Sequence, residues 1–225
     1  MDSFASRRNG LVENLRQAGF LKKKEVIAAL LKVPREEFIP IGLKDSAYAD
    51  SPLPSFDGQT ISAPHMVAIM CELLDLKPGQ IVLEVGAGTG YHAAVCAEIV
   101  APSNLPEPLW GHVFAIERIS SLVEFASHNL QECGYDNRVS IFKGDGTMGL
   151  KERSPFDRIL VTAAAPRIPP PLMMQLKDGG KMVIPVGEVF SVQNLILLVR
   201  NSEEFKETAY GGCVFVPLYG KYGWD

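Results

Sequence analysis

Three carboxylates and a run of glycines mark where this sequence could do chemistry. Glu84 lies inside the apolar run Ile81-Val82-Leu83-Glu84-Val85, and glycine follows at 86, 88 and 90. Glycine tolerates positive φ and has no Cβ, so backbone N–H groups there can approach a ligand closely. Glu117 ends a second apolar run that begins at His112, and Asp145 stands between Gly144 and Gly146, just after the run Val139-Ser140-Ile141-Phe142. Acids at the carboxyl ends of successive parallel strands suit a nucleoside-like ligand, because open α/β sheets bind ligands outside those ends. Glu117 is placed to accept hydrogen bonds from two ribose hydroxyls. Asp145 is placed to accept from an adenine amino group, with the Gly146 N–H free to donate to the ring. An acid inside the strand, beside the glycine turn, attracts a cationic ligand rather than repelling it.

A second stretch carries polar groups of another kind: Asp57-Gly58-Gln59-Thr60-Ile61-Ser62-Ala63-Pro64-His65-Met66. Local chemistry favours structural roles here. The Ser62 hydroxyl can satisfy an orphan N–H at the start of the next helix, and His65 can pack in its first turn. Cys71, Cys96, Cys133 and Cys213 are scattered without a C-x-x-C pair, so buried free thiols are expected rather than disulfides, and no metal site is expected.

The elements that must position these groups follow from periodicity. Leu11, Leu15, Phe20 and Leu21 mark a short helix ending near Gly19, and Val26, Ile27, Leu30 and Leu31 mark a second that Pro34 ends. The prolines and glycines of residues 34–60 predict extended loop. Met66, Met70, Leu73 and Leu74 predict a helix from Pro64 to Asp75. Strands are expected at 81–85, 112–117, 139–142, 158–162 and 182–186. Helices are expected at 91–100, up to Gly134, and at 169–176. The runs 194–200 and 208–217 have only a short polar link, so they are expected to pair antiparallel. The predicted fold class is α/β: a Rossmann-like, mostly parallel seven-stranded sheet with an antiparallel C-terminal strand pair and an N-terminal helical extension. A single domain over 1–225 is expected, with 1–78 as extension and 79–225 as cofactor-binding sheet.

Composition narrows the partners. With 225 residues, 47% hydrophobic, 21% charged and a net charge of −4, the chain reads as globular, without the basic excess of a nucleic-acid binder. The polar N-terminus leads into no apolar signal segment, and no run reaches membrane-spanning length. A monomer in the cytoplasm, with neither nucleic acid nor membrane as partner, is expected.

The glycine spacing separates two nucleotide readings. A dinucleotide fingerprint would need glycine at 91, where Tyr stands. Glu-x-Gly-x-Gly-x-Gly instead resembles the first motif of the class I methyltransferases that use S-adenosylmethionine. Gly58-Gln59-Thr60-Ile61-Ser62-Ala63-Pro64-His65-Met66, Leu83-Glu84-Val85-Gly86-Ala87-Gly88-Thr89-Gly90, Gly144-Asp145-Gly146, Ala163-Ala164-Ala165-Pro166, Gln175 to Gly187 and Phe215-Val216-Pro217-Leu218 closely resemble the protein-L-isoaspartate O-methyltransferase family over nearly the whole chain. The resemblance implies methyl transfer from S-adenosylmethionine, leaving S-adenosylhomocysteine, to the α-carboxylate of isoaspartyl residues in damaged proteins and peptides. It assigns catalysis to Ser62. It places Thr60, Ile61 and His65 against the substrate, with Val214 on the C-terminal strand as a further candidate for holding the peptide. It places Ser62, His65, Glu84, Gly86, Gly88, Gly90, Glu117, Asp145, Gly146 and Thr162 against the cofactor. One departure is the Pro-rich loop 101–110, longer than the family pattern suggests. The alternative is a class I methyltransferase acting on a small molecule or nucleic acid. Base amino-methylation usually places Asn/Asp-Pro-Pro-aromatic after the fourth strand, where this chain has Thr162-Ala163-Ala164-Ala165-Pro166.

Overall fold

The computed structural model describes residues 3–189 and 191–225. Helices α1 (Phe4–Gln17) and α2 (Lys24–Lys32) are followed by the two-residue strands β1 (Leu53–Pro54) and β2 (Thr60–Ile61), and then by α3 (Pro64–Leu74). The main sheet begins with β3 (Ile81–Val85), α4 (Tyr91–Val100), β4 (His112–Glu117), α5 (Ser120–Glu132) and β5 (Val139–Lys143). It continues with β6 (Phe156–Val161), α6 (Pro170–Gln175), β7 (Leu176–Val186), β8 (Gln193–Asn201) and β9 (Glu204–Cys213). Its order is β5-β4-β3-β6-β7-β8-β9. The first five strands in that order run parallel, and β8 pairs antiparallel with both β7 and β9. The predicted fold class therefore holds, including the antiparallel edge.

Chain order reverses beside β3: β4 and β5 lie on one side of it, β6 and β7 on the other. That reversal opens a crevice at the carboxyl ends of β3, β4 and β6. Successive residues of a strand point to opposite faces. Val82, Leu160 and Val183 join the core beneath α3 and α4, whereas Leu83, Ile159 and Met182 join the opposite core with Phe156 and Leu172. Both faces are covered, which is why these strands read as nearly continuous apolar runs. Burying each such side chain contributes roughly 1.5–3 kcal/mol. Glu84 shares the Val82 face and so points toward α4.

Several expectations need correction. Residues 34–60 are not plain loop; they hold 3-10 turns at Arg35–Phe38, Ile41–Ser46 and Phe56–Gly58, besides β1 and β2. Pro34 and Pro40 sit at the N-caps of the first two turns, where a residue without an N–H costs nothing. The strand expected at 208–217 runs instead over Glu204–Cys213, because β8 turns back at Ser202, held at φ 57. Val214 to Pro217 therefore leave the sheet. The strand expected at 182–186 begins at Leu176, with a register shift between Phe156↔Leu176 and Arg158↔Lys181 that absorbs Gly179 and Gly180. All four cysteines are free; Cys133 is only half-buried, the others buried. Among the described residues no helix is long and apolar enough to cross a membrane.

Candidate functional site

A cavity of about 810 Å³, counted to its open mouth, occupies the crevice. Its floor is built from backbone. After β3 the chain turns sharply at Gly86, φ +93, and the Gly86 and Ala87 N–H groups donate to Ile116 O at 2.9 and 3.1 Å. A Cβ at Gly86 would stand 2.6 Å from Thr162 Oγ1, and that hydroxyl donates to Gly86 O at 2.6 Å. Only glycine fits between the two strand ends. Gly146 is equally constrained: a Cβ there would reach Val85 Cγ1 at 2.4 Å.

The two acids of the floor differ. Glu117 is buried, yet its carboxylate is held by three backbone donors: Arg118 N at 2.8 Å, Ile119 N at 3.0 Å and Gly88 N at 3.0 Å. It is thereby fixed in orientation with lone pairs left to accept more. Glu84 is 1% exposed, and among the described residues neither carboxyl oxygen has a hydrogen-bond partner. Burial first, then the neighbouring Cys96 and Glu117, push its carboxyl well above the usual range. A buried carboxyl without a partner is costly, and a cationic group entering the cavity would relieve it. His92 also lines the wall. Burial, then the Arg35 charge, push its imidazole down to about 3, so it is neutral at physiological pH. Arg118, its guanidinium 4.7 Å from the Tyr219 ring, is the only lysine or arginine on the wall among the described residues.

Facing the floor is the strap of residues 53–62. Thr60, Ile61 and Ser62 all line the cavity. Ser62 does not cap α3: the N-cap is Ala63, which has no capping side chain, and the first-turn N–H of His65 goes to Asp50 Oδ1 at 2.8 Å. Ser62 stands one residue before the cap, on the cavity wall, so the capping expectation is overturned: the helix begins at Pro64, and Asp50 takes an N–H that a capping serine would have satisfied. The strap is tied down by side chains. Arg35, fully buried, donates from Nη2 to Ser62 O at 2.8 Å and from Nε to Ala47 O at 2.9 Å. Its guanidinium lies 4.9 Å from the ring of Tyr91, another wall residue. Asp57, at φ 53, accepts from Ser121 Oγ, and Phe56 meets Phe125 edge-on at 4.9 Å.

The expected site residues divide. Thr60, Ile61, Ser62, Glu84, Gly86, Gly88, Glu117, Gly146 and Thr162 meet on the wall of this one cavity. Four others stand elsewhere. Gly90, φ +86, lets α4 pack on α5, where a Cβ would press on Ala126 O and Leu130 at 3.3 Å. His65 turns to Asp50, whose Oδ1 takes both its backbone N–H at 2.8 Å and its Nδ1 at 2.9 Å. Val214 is 73% exposed beyond the end of β9, while Val216 to Tyr219 form the wall instead. Asp145 borders the cavity behind Gly146. Its Oδ1 accepts from Thr147 N and Oγ1 and its Oδ2 from Lys221 N; burial works against ionisation, but these donors hold the carboxyl below its usual range. The Pro-rich loop does not touch the cavity. Trp110 Nε1 donates to Pro102 O and Leu105 O at the start of β4, the far end of the sheet.

Arg35, Tyr91 and Tyr219 were not among the site residues expected from the sequence. A buried arginine beside a proline leaves no periodic signal, and Tyr219 reaches the wall only because the C-terminal segment pairs with the chain just beyond the end of β6. There the Val216 and Leu218 main chain brackets Ala164, with bonds of 2.8 Å each.

The residues fit S-adenosylmethionine. The unpaired Glu84 suits a cationic portion, the oriented Glu117 suits vicinal hydroxyls, and the backbone at Gly86 and Gly88 is open to close approach. Comparison with known proteins agrees. The family described as protein-L-isoaspartate(D-aspartate) O-methyltransferase matches residues 6–223. A protein named protein-L-isoaspartate O-methyltransferase from Hyperthermus butylicus is 54% identical over 222 residues, covering 98% of this chain and 92% of its own. One of the same name from Methanopyrus kandleri is 53% identical over 223 residues, covering 99% and 95%. A crystal structure from Plasmodium falciparum bearing that name, in complex with S-adenosyl-L-homocysteine, superposes with a TM-score of 0.82 at 29% identity, covering 93% of this chain and 97% of that one.

Proposed function

The chain belongs to the protein-L-isoaspartate(D-aspartate) O-methyltransferase family, and from that premise we infer that it methylates the free α-carboxylate of isoaspartyl residues in damaged proteins and peptides, using S-adenosylmethionine. The observation that carries this reading is the meeting of Ser62, with its hydroxyl uncommitted to the helix, and the unpaired Glu84 on one cavity wall.

S-adenosylmethionine, when bound, supplies a methyl group activated on a sulfonium. Glu84, Glu117, Gly86, Gly88, Gly146 and Thr162 would hold it, with Asp145 at the border. The chain's own task is positioning. An isoaspartyl α-carboxylate has a pKa of about 3.5 and is ionised at pH 7 without help, so no general base is required. The Ser62 hydroxyl, at the mouth, donates to one carboxylate oxygen and aims the other inward. Thr60 and Ile61 flank the peptide on the extended strap, and the closed floor keeps water from the reacting oxygen. His65 and Val214, off the wall, are assigned to the outer rim, where a longer peptide would pass. The ester carbonyl gives up methoxide far more readily than a carboxylate gives up oxide, so the neighbouring backbone N–H can attack it, close a succinimide with release of methanol, and let water reopen the ring partly as normal aspartate.

Nucleic acid is not the substrate in this reading: among the described residues the wall offers a single lysine or arginine, and the net charge is −4. A single chain supplies both strap and floor, which supports a monomer, and four free cysteines support a reducing, cytoplasmic setting.

The test is a competition between an isoaspartyl peptide and its aspartyl twin. In the twin the carboxylate sits one methylene further out, and a shift of about an ångström can cost on the order of a hundredfold. The isoaspartyl peptide is expected to be methylated at least about a hundredfold faster in kcat/KM. At saturating cofactor, kcat should change little from pH 6 to 8, and Ser62→Ala should lower kcat strongly while cofactor affinity holds. Equal rates on the two peptides would overturn the substrate; a steep rise with pH would point to a general base that this reading does not assign.

A further inference from the structure

Behind the cavity, three metal-ligating side chains meet that methyl transfer leaves without a task. His92 and Cys96 stand four residues apart on α4 and so share one face of that helix. Cys71 reaches them from α3. The ligating atoms of all three lie within 4.8 Å of one another, and His92 Nε2 stands 3.3 Å from Cys71 Sγ. Both cysteines are fully buried, and His92 is nearly so.

The 3.3 Å pair stands at the separation of two ligands on one ion, and the widest pair, at most 4.8 Å, must close by up to about an ångström for all three to reach it. A tetrahedral zinc, with Zn–S near ~2.3 Å and Zn–N near ~2.0 Å, holds its sulfur and nitrogen ligands about 3.5 Å apart. Two cysteines and a histidine are a set that zinc uses with its fourth position open, and thiolates select soft or borderline d10 ions over hard ones. The surroundings hold buried charge of both signs: the Arg35 guanidinium, whose charge acts on His92, opposes a cation, and a carboxyl favours one. Glu84, on the same face of the sheet, presents a buried carboxyl with no partner among the described residues, and Cys96 is one of its neighbours. The His92 Nδ1 is likewise buried without a partner among the described residues. Because His92 also lines the cavity, the cavity gives access to an otherwise sealed cluster.

We propose that Cys71, His92 and Cys96 form a three-ligand site for one thiophilic d10 cation of the zinc type, entered from the cavity and tying α3 to α4. Each cysteine loses its proton as its sulfur–metal bond forms, so uptake of one dication releases two protons to the buffer, and no electron moves. The site needs neither Ser62 nor a bound substrate, so it stands apart from the methyl-transfer reading.

Cd2+ is the probe, titrated into chelator-treated protein. The expected result is a thiolate-to-metal ultraviolet band that saturates at one Cd2+ per chain, with two protons released. The band should be lost in Cys71→Ala and in Cys96→Ala, and kept in the double variant Cys133→Ser, Cys213→Ser. Zn2+ should raise the Tm of the wild type by mass action and leave that of Cys71→Ala unmoved. Should Cys96→Ala fail to fold, Cys71→Ala on the neighbouring helix tests the same site alone. No band at equimolar Cd2+, or a band that survives loss of Cys71 and disappears with Cys133 and Cys213, overturns the proposal.

Discussion

On the sheet side of the cavity, the groups that would meet the cofactor are held by backbone: Gly86 and Ala87 by Ile116 O, and Glu117 by the N–H groups of Gly88, Arg118 and Ile119. On the strap side, Thr60 to Ser62 are held by distant side chains: Arg35 on Ser62 O, Ser121 on Asp57, Phe125 on Phe56. A floor built from main-chain bonds between neighbouring strands is fixed by the fold itself. A strap held by a few side chains can shift without the fold changing. The floor is thus the pre-organised half, and the strap is the half that single substitutions can misplace.

The sharpest way to break this contrast is Arg35→Met, which keeps bulk and removes the donors to Ser62 O and Ala47 O. With the serine free to shift by about an ångström, kcat/KM on an isoaspartyl peptide should fall on the order of a hundredfold. Calorimetric affinity for S-adenosylhomocysteine should stay within about threefold, less than 1 kcal/mol. An equal loss of both would mean that strap and floor are one unit. Glu117→Ala attacks the floor and should do the opposite, weakening S-adenosylhomocysteine binding by roughly 1.5–3 kcal/mol with little change in the selectivity between isoaspartyl and aspartyl peptides.

Glu84→Gln sharpens the comparison by separating stability from binding. The folded-state pKa of Glu84 is raised above its unfolded value. Its contribution to stability is therefore complete below the ordinary carboxyl range, near 4.5, and is lost as pH rises toward the folded-state value. The ligand-free Gln variant should be more stable than wild type at pH 8, by roughly 1–3 kcal/mol of unfolding free energy, and the gap should close toward pH 4.5. It should also bind S-adenosylhomocysteine more weakly at pH 8. A variant less stable than wild type at pH 8 would show that the carboxyl finds a partner in solution. Ser121→Ala is the mildest change. Loss of one partner of Asp57 should raise KM for peptide about threefold, in line with roughly 0.5–1.5 kcal/mol for a hydrogen bond, and leave cofactor affinity untouched.

The same contrast explains what could be read in advance. Gly86, Glu117 and Gly146 were legible because the chemistry that makes them useful is local: a strand end, a turn that tolerates positive φ, an acid at a fixed offset. Ser62 was legible only through its family block; its local chemistry pointed to a helix cap, and Ala63 holds that position. Gly90 was read with its neighbours, yet it serves packing between α4 and α5, a contact its spacing could not reveal. Val214 was placed by a strand boundary four residues too late.

By itself the sequence determined the α/β fold class, the strand carrying Glu84, the glycine turn and the acids after the next two strands. Alternation, apolar runs and turn residues act over a few positions, and so they are written locally. Only the tertiary structure decided that Arg35 holds Ser62 from 27 residues away, that His65 faces Asp50, that Tyr219 rather than Val214 closes the wall, and that Cys71 meets His92 and Cys96. Each of these is a side-chain contact between segments far apart in the chain, set by how helices and strap pack on the sheet, and no periodicity along the sequence encodes it.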